Sequence, residues 1–382
     1  MDQITYESRY LEQVQNLQEY SLRISSTFYA DSLSITLDSN KFGVKSKDFE
    51  RISTSDDYDI DGFEILQPVF YTIKDCHIHT CYGILTIDKY VILESTSHFP
   101  NYYYEGRIFV DEHSKRWILE NKSPDYMIDY AISCHHGINL NYYHWLILFL
   151  PKLHPKMIDT VLEQSHGKMP TIIFPPLTDS FHIESVEAIT KILAMPYVVP
   201  DLCDHISVNT LIYPIPERSI GLTPHPLVRE MLLLLRHELL DPSYDHFEKI
   251  FISRRDTKNR IISNEHDIAT ALESRGFQVV TLTSMSLREQ ITIFSNARFV
   301  VGQHGAGLTN IGFCNEGTKI LELHNPSYQN WCYRRLSAIS NLDYGFIFGI
   351  ESPAETSTHT SNLVMTIDIE LLLATIDEME SS

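Results

Sequence analysis

Residues 298–323, RFVVGQHGAGLTNIGFCNEGTKILEL, contain the pattern that decides the predicted fold. The apolar run at 299–301 is typical of a buried strand, and the glycines that follow it allow a tight turn into a predicted helix. A second apolar run at 319–323 completes the order strand, glycine turn, helix, strand, which is half of a nucleotide-binding α/β fold. Because the N-terminal end of a helix favours negative charge, we expect an anionic ligand at this turn.

Length and composition predict a globular protein with two domains. The chain has 382 residues, of which 43% are hydrophobic and 21% are charged, and these values argue against disorder and against a coiled coil. Its formal net charge of −20 argues against a general nucleic-acid binder, because affinity for the phosphate backbone depends on Lys and Arg. Any bound phosphate must therefore be held by a few local groups.

The first residues and the distribution of the cysteines indicate the cellular compartment that we expect. Residues 1–7 lack the basic and apolar regions of a signal peptide, and no apolar run reaches the roughly 18 residues that a membrane-spanning helix needs. We therefore expect a cytoplasmic location and no transmembrane segment. Because the cysteines are scattered along the chain, we expect free buried thiols rather than a disulfide framework at Cys76, Cys81, Cys134, Cys203, Cys314 and Cys332.

Two acidic or cysteine-rich motifs in the N-terminal part allow a metal interpretation that we do not favour. The run at 56–61 contains a D-x-D pair, but no apolar strand precedes it, so a solvated acidic loop is preferred. The segment 76–81, CHIHTC, lies in a region of predicted hairpin strands from 69 to 109. Alternation along a strand puts His77 and His79 on one face and the two cysteines on separate faces, so a four-ligand zinc site does not assemble locally.

The segment 130–153 contains the candidate general base. Asn141 is a suitable N-cap for an apolar helix from about 142 to 150, and His144 then lies in its first turn. A histidine beside a polar loop can accept a proton near neutral pH, and the alternative is a hydrogen-bonded structural histidine. Further strands at 171–174, 197–199 and 208–213 alternate with helical patterns and predict a parallel sheet.

The second domain contains the candidate cations. A strand at 249–252 ends beside Arg254 and Arg255, with Lys258 in the loop that follows, so we expect these cations at the same sheet edge as the glycine turn. Together with the N–H groups of the turn, they can neutralise a departing diphosphate without a metal ion. Glu322 can accept from ribose hydroxyls or form a salt bridge, and His304 can touch phosphate or sugar or hold the turn.

Several motifs in a fixed order resemble glycosyltransferase family 61. They are Asn141–Trp145, Ile252–Arg254, Ser274–Phe277, Ser284–Ala297, Gly302–Asn310 and Leu321–Leu323. The resemblance covers roughly residues 70 to 345 and implies a GT-B architecture, with two Rossmann-like domains that face a cleft and extra N-terminal β-hairpins. It also implies inversion at the anomeric carbon without a metal or another cofactor. The sugar nucleotide is expected on the C-terminal domain and the acceptor on the N-terminal one.

The resulting prediction is an α/β protein with an acceptor-side domain at 1–226, poorly defined to about residue 60. A sugar-nucleotide domain follows at 227–350, and a tail at 351–382 is expected to pack back on the N-terminal domain. We predict His144 as general base, with His135 and His136 as its rivals. The predicted substrate-binding residues are Asn141, Arg254, Arg255, Lys258, Gly302, His304, Gly305, Ala306, Gly307, Leu308, Thr309, Asn310 and Glu322.

The predicted function is sugar transfer from a nucleoside-diphosphate sugar, with a UDP-sugar preferred, to a hydroxyl of a glycan acceptor. Bacterial relatives in the family are associated with surface polysaccharides such as capsule, so a cytoplasmic enzyme that associates peripherally with the inner face of the membrane fits the resemblance. Two alternatives stay open. One is a catalytically silent sugar-nucleotide-binding module, and the other is a dinucleotide-dependent oxidoreductase, which G-Q-H-G-A-G disfavours because it is not the G-x-G-x-x-G spacing.

Overall fold

The computed structural model describes residues 3–36, 62–96, 108–111, 116–135, 141–215, 224–244, 246–257, 260–351 and 364–381. The acidic run at 56–61, His136 and Lys258 lie outside these residues. The described chain forms two compact units. Unit 1 is 1–31 with 67–218, and unit 2 is 32–66 with 219–382. The domain boundaries predicted at 226 and 350 stay a prediction.

The strands are numbered in chain order. They are β1 (Gln3–Arg9), β2 (Ile24–Phe28), β3 (Leu33–Thr36), β4 (Gly62–Ile65), β5 (Val69–His79), β6 (Ile84–Ile87), β7 (Tyr90–Ile92), β8 (Ile108–Asp111), β9 (Arg116–Glu120), β10 (Tyr126–Ser133), β11 (Thr171–Ile173), β12 (Tyr197–Val198), β13 (His205–Ile215), β14 (Lys249–Ile252), β15 (Gln278–Val280), β16 (Phe299–Gln303), β17 (Lys319–His324), β18 (Asp343–Phe348), β19 (Ile350–Glu351) and β20 (Met365–Thr366).

The α-helices are numbered in the same way. They are α1 (Leu11–Gln15), α2 (Tyr142–His144), α3 (Pro155–Gln164), α4 (Ser180–Leu193), α5 (Pro226–Leu239), α6 (Glu265–Glu273), α7 (Leu287–Asn296), α8 (Cys332–Ile339) and α9 (Ile369–Ser381). Helix α2 continues as a π-helix at Trp145–Phe149 and a 3₁₀-helix at Leu150–Leu153, and further 3₁₀-helices lie at Leu93–Ser95 and Ala306–Phe313. Within the described ranges, no helix combines the length and the apolar character that crossing a membrane requires.

Unit 1 is built on a mixed sheet of eleven strands. Its order is β12-β11-β10-β13-β5-β6-β7-β1-β9-β8, with β2 paired to β5. The predicted parallel strands are β10 to β13, while β5, β6 and β7 are the predicted hairpins and pair antiparallel. Asp88 has a positive φ of 47° at the turn between β6 and β7, where the sequence indicated a hairpin turn.

The expectation of free thiols throughout is wrong for one pair of cysteines. Cys81 and Cys203 form a disulfide across 122 residues of sequence. They follow β5 and precede β13, and these two strands pair antiparallel, so their ends bring the two cysteines together. Nothing in the local sequence encodes that pairing. The other four cysteines carry buried thiols.

Unit 2 contains a parallel sheet of five strands in the order β15-β14-β16-β17-β18, as the strand and helix pattern predicted. Helix α7 begins at the predicted capping box, in which Ser286 Oγ accepts from the Glu289 N–H at 3.2 Å and Glu289 Oε2 accepts from the Ser286 N–H at 2.7 Å. Helix α6 is followed by Gly276 at a φ of +82°, the left-handed conformation that favours glycine.

The C-terminal helix α9 belongs to the core of unit 2. Leu372, Ile376 and Met379 on α9 are fully buried in one hydrophobic cluster with Phe251, Val301 and Leu321 of the parallel sheet. A salt bridge of 2.5 Å joins Lys249 Nζ to Glu380. Within unit 2, the apolar face of α9 packs on this sheet. The suggestion that the tail packs back on the N-terminal domain stays a prediction.

Candidate functional site

Two neighbouring strand ends in unit 2 bring together the residues that the sequence indicated. Strands β14 and β16 are parallel, and Ile252 lies opposite Gly302 in their register. Arg254 follows β14 and the glycine turn follows β16, so both lie at the carboxyl edge of one sheet, where ligands of open α/β sheets bind.

Two arginines converge on Gly305 in this turn. A Cβ at Gly305 would overlap Nη1 of Arg254 and would lie 3.4 Å from Nη1 of Arg260. Arg260 also donates to the carbonyl oxygen of His304 at 3.0 Å, and its guanidinium lies 5.1 Å from the centre of the Tyr328 ring. Burial lowers the pKa of Arg254, and the nearby charge of Arg260 lowers it further. Like charges held this close together are stabilised by a bound anion.

A buried carboxylate fixes the loop that carries Arg254. Glu265, at the start of α6, accepts from Ser253 Oγ at 2.5 Å and from the backbone N–H of Arg254 at 3.0 Å. Arg255 is half exposed and lies 3.8 Å from the same carboxylate, while its Nε donates to Ser253 Oγ at 3.1 Å. Glu265 therefore positions Arg254 through its backbone and leaves the guanidinium to face the turn.

Gly302 and Gly307 are tightly packed, and Leu308 forms a hydrogen bond within the turn. A Cβ at Gly302 would lie 3.1 Å from Leu308, and one at Gly307 would lie 3.0 Å from Leu282, so both positions are tightly packed. Leu308 uses its N–H within the turn, because this group donates to the carbonyl oxygen of Gly305 at 2.9 Å. The helix predicted after the turn is present as a 3₁₀-helix at Ala306–Phe313.

Thr309 and Asn310 are fully buried beneath the turn. The Asn310 amide donates to Gln290 Oε1 at 2.9 Å and to the carbonyl oxygen of Gly307 at 3.1 Å, so it ties the turn to α7. This arrangement gives Asn310 a supporting position. A direct contact of either residue with substrate stays a prediction.

Glu322 lies at the centre of a buried hydrogen-bond network. Its Oε1 is 2.6 Å from His304 Nδ1, and its Oε2 is 2.5 Å from Tyr344 Oη and 3.2 Å from His324 Nε2. Glu322 and His324 are fully buried, and the His304 side chain is 7% exposed. Burial alone would raise the pKa of Glu322, but His324 and His304 outweigh it and lower the pKa to about 2. Both oxygens are occupied, which does not favour the predicted contact with a ribose hydroxyl.

Aromatic rings close around this network. Trp331 lies 4.4 Å from His324 between ring centres and packs against Phe346 and Phe348 in a small cluster. Tyr328 and Tyr333 lie 5.4 Å and 5.2 Å from the His304 ring. Their packing removes water from the carboxylate and holds the two imidazoles in fixed planes.

The donor set of His304, Glu322 and His324 is also that of a metal site with two histidines and one carboxylate. Their ligand atoms lie within 4.8 Å of one another. Two atoms that bind one metal at about 2.1 Å are usually about 3 Å apart. The 2.6 Å between His304 Nδ1 and Glu322 Oε1 is instead a hydrogen-bond distance, and Tyr344 holds the other carboxylate oxygen. The geometry therefore fits a hydrogen-bond network, and the predicted metal-free site stays a prediction.

In unit 1, the predicted N-cap is confirmed. Asn141 Oδ1 accepts from the backbone N–H of His144 at 2.9 Å, and this bond fixes the first turn of α2. The side chain of His144 is partly exposed, and its ring lies 5.9 Å from the Tyr143 ring. Trp145 is fully buried and donates to Ser185 Oγ at 2.7 Å. The helix thus presents His144 while Trp145 anchors it, and the role of His144 as base stays a prediction.

His135, the alternative candidate for the general base, is buried rather than partly exposed. It is buried, its backbone carbonyl accepts from the buried Lys152 Nζ at 3.3 Å, and a Cβ at Gly83 would lie 2.6 Å from its ring. Burial and then the Lys152 charge lower the pKa of His135 to about 3. An imidazole with so low a pKa binds a proton weakly, so His135 is a poor general base near neutral pH.

Part of the chain matches a known protein family. Residues 142–321 match the family model described as Glycosyltransferase 61. The matched region belongs to glycosyltransferase family 61. This finding confirms the resemblance found in the sequence, and it identifies the matched region as that of a glycosyltransferase.

Curated relatives that match part of the chain are named as N-acetylglucosamine transferases. The chain is 31% identical over 130 residues to the EGF domain-specific O-linked N-acetylglucosamine transferase of Drosophila melanogaster, a match that covers 32% of this chain and 25% of the relative. The enzyme of that name from Pan troglodytes is 29% identical over 25% of this chain and 19% of its own length. Protein O-linked-mannose beta-1,4-N-acetylglucosaminyltransferase 2 of Canis lupus familiaris is 32% identical over 27% and 19%. The matches thus span a quarter or less of these relatives.

Sequence reasoning missed four residues that build the site in unit 2. Arg260 was not singled out, although it lies against the glycine turn and has a positive φ of 56°. Glu265, His324 and Tyr344 were not singled out, because their roles depend on hydrogen bonds between residues that are distant in sequence. The one local signal was Glu322 itself, since a charged residue inside an apolar strand requires buried partners.

Proposed function

We propose that the protein is an inverting, metal-independent glycosyltransferase with a GT-B architecture. It moves a sugar from a nucleoside-diphosphate sugar, preferably a UDP-sugar, to a hydroxyl of a glycan acceptor. Because the curated relatives are named for N-acetylglucosamine transfer, that sugar is the first donor to test. A role in surface polysaccharide synthesis and a cytoplasmic location at the inner face of the membrane are part of the same proposal.

The observation that carries the proposal is the convergence of Arg254 and Arg260 on Gly305. When the bond between the anomeric carbon and the phosphate oxygen breaks, the leaving diphosphate gains negative charge. Two guanidinium groups beside a turn without side-chain bulk can hold that charge through charge-assisted hydrogen bonds. A chain of net charge −20 that places two arginines together at a strand edge supports local phosphate binding.

His144 is the proposed base that accepts the proton of the acceptor hydroxyl. Its partly exposed side chain at the start of α2 supports this role, and the neutral, buried His135 supports it by contrast. Asn141 acts on His144 through the backbone, so we assign it a positioning role.

Three variants with two measurements test the proposal. Arg254→Gln is expected to weaken uridine diphosphate binding by about tenfold or more, since a charge-assisted hydrogen bond contributes about 1.5–3 kcal/mol. It is also expected to abolish transfer from UDP-N-acetylglucosamine. His144→Ala should abolish transfer and leave uridine diphosphate binding nearly unchanged. The measurements are calorimetric binding and product formation with a panel of glycan acceptors.

Arg298→Gln is the matched control. Arg298 is 81% exposed and precedes β16, at the opposite edge of the same sheet, so its loss should change neither measurement. Equal binding by wild type and Arg254→Gln would contradict the proposed phosphate site. Binding without product for any donor and acceptor would instead favour the silent binding module, and stabilisation by a nicotinamide dinucleotide would favour the oxidoreductase.

A further inference from the structure

His304 connects the buried carboxylate to the arginine pair. Its side chain bonds to Glu322, its carbonyl oxygen accepts from Arg260, and the next residue is the glycine on which both arginines converge. We propose that His304 takes up a proton when a diphosphate binds and then donates through Nε2 to a phosphate oxygen, with Glu322 as its positioning residue. This inference rests on the proposed function, because it requires a diphosphate at the glycine turn.

The geometry fixes which nitrogen of His304 can meet a ligand. Nδ1 lies 2.6 Å from Glu322 Oε1, so Nδ1–H donates to the carboxylate and Nε2 is the nitrogen left for a ligand. Glu322 cannot rotate away without losing Tyr344 at 2.5 Å. The imidazole is therefore held in one orientation, as a histidine is when a carboxylate fixes its tautomer.

Burial of the His304 imidazole favours its neutral form. Burial lowers the pKa of His304, the hydrogen bond to Glu322 opposes this effect, and His324 and Arg260 lower the pKa further. A neutral ring that donates through Nδ1 carries a lone pair on Nε2, and a lone pair repels a phosphate oxygen. His304 thus needs a second proton before it can bind a diphosphate.

Binding of a diphosphate favours the protonation of His304 at Nε2. Its negative charges offset the arginine charges, and opposite charge within a few ångströms favours the imidazolium form. The charged or titratable groups around His304 are Glu322 and His324 on β17, Tyr344 on β18, Arg254 and Arg260 after β14, and the nearby Tyr328 and Tyr333. Glu322 then lies against an imidazolium instead of a neutral ring.

The protons and electrons of the transfer step balance without a further reactant. The proton on Nε2 comes from solvent when the sugar nucleotide binds. In the transfer step, the bond from the anomeric carbon to the phosphate oxygen breaks, and its electron pair stays on that oxygen. The acceptor hydroxyl forms the new bond, and its proton goes to the general base. His304 keeps its proton as a hydrogen-bond donor and returns it to solvent when the diphosphate leaves.

The sign of the pH dependence follows from this linkage. The pKa of His304 is higher in the bound state than in the free state, so the contribution of His304 to affinity is complete below the free pKa. It is lost as the pH rises through the bound pKa. Diphosphate affinity is therefore expected to fall with rising pH in the wild type, and to fall less in a variant whose residue 304 does not titrate.

Isothermal titration calorimetry with uridine diphosphate tests this directly. At about pH 8 the free diphosphate carries almost no proton, so proton uptake on binding belongs to the protein. Titrations in two buffers with different ionisation enthalpies give the number of protons taken up. The wild type is expected to take up a substantial fraction of one proton, and this measurement needs no variant.

Variants assign the proton to its residue. His304→Gln is expected to remove the uptake and to bind more weakly, Glu322→Gln to reduce the uptake, and Tyr344→Phe to retain it because the carboxylate remains. Binding by the wild type without uptake, or equal uptake by His304→Gln, would overturn this inference and leave the proposed function intact. A wild type that binds neither uridine diphosphate nor pyrophosphate would overturn the proposed function itself.

Discussion

The two units each contain a group of histidines, and the two groups differ in their partners. In unit 1, His77 and His79 on β5 meet His205 on β13, with His205 Nε2 3.1 Å from His77 Nδ1 and the rings of His79 and His205 stacked at 4.7 Å. Their other hydrogen bonds go to a backbone carbonyl and a hydroxyl. In unit 2, His304 and His324 both lie against the buried carboxylate of Glu322.

Because of this difference in partners, we interpret the histidines of unit 1 as structural and those of unit 2 as part of a candidate site. Burial lowers the pKa of all three histidines in unit 1, and His79 reaches about 3, so these rings stay neutral and fill space on a sheet. In unit 2 the carboxylate pKa of about 2 keeps a negative charge beside the buried imidazole of His304. A buried charge with a fixed histidine can accept and hold a proton when a ligand arrives.

The largest expected effect comes from removing the carboxylate. Glu322→Ala leaves the donors of His304, His324 and Tyr344 buried without their acceptor, and breaking such a network typically costs about 3–5 kcal/mol. Urea unfolding, with hydrogen exchange of peptides that contain 319–324, measures the loss. Tyr344→Phe removes one donor and should cost only about 1 kcal/mol. If the alanine variant were as stable as the wild type, the network would not contribute to the stability of unit 2.

The carboxylate also sets an acid limit for unit 2. The folded pKa of Glu322 lies below its ordinary value of 4.5, so its contribution to stability is complete above that value. The contribution is lost as the pH falls from 4.5 toward 2. The stability difference between wild type and Glu322→Ala should shrink over the same interval.

A smaller effect, confined to binding, is expected at the glycine turn. Gly305 has an extended φ of 165°, so alanine costs no backbone strain there, but its methyl group meets Nη1 of Arg254. Gly305→Ala should displace the guanidinium and weaken uridine diphosphate binding about tenfold to a hundredfold, with little change in unfolding. Calorimetry and urea unfolding measure the two quantities.

Gly317→Ala gives the opposite pattern and serves as the control. Among the described residues, no atom lies within 4 Å of a Cβ there, but the φ is +75°, so alanine should cost about 1 kcal/mol of stability and leave diphosphate affinity unchanged. If Gly305→Ala lost stability and kept its affinity, the two arginines would not be the anion site.

The parts of the fold that were predictable are those with local signals. The capping box at Ser286, the N-cap at Asn141 and the strands around the glycine turn depend on residues a few positions apart. These elements put Arg254 and Gly305 at one sheet edge, as parallel strand order requires.

The parts that were not predictable depend on distant residues. His205 joins His77 through the register of β5 with β13, and the Cys81–Cys203 disulfide follows from the same pairing. Glu322 meets Tyr344 because β17 and β18 are neighbours in the sheet. No periodicity or spacing within one segment encodes such contacts, so sequence reasoning left Glu322 with two interpretations and passed over Arg260.

The smallest expected effect is in the histidine group of unit 1. His79→Gln removes a buried imidazole whose folded pKa of about 3 lies below its ordinary value of 6.5. The unfolded state therefore binds more protons, and the wild type loses stability as the pH falls from 6.5 toward 3. Glutamine does not titrate, so the variant should be about 1 kcal/mol less stable at pH 7.5 and should lose less on acidification.

Urea unfolding between pH 7.5 and 4.5, followed by tryptophan fluorescence, should therefore give two stability curves that converge in acid. His166→Asn is the control, because His166 is exposed with a positive φ of 53°, which asparagine tolerates. Uridine diphosphate affinity should be the same for His79→Gln and wild type, since the histidines of unit 1 lie outside the proposed diphosphate site. Parallel curves for His79→Gln and wild type would mean that His79 titrates alike in the folded and unfolded states, and the contrast between the two histidine groups would then depend on Glu322 alone.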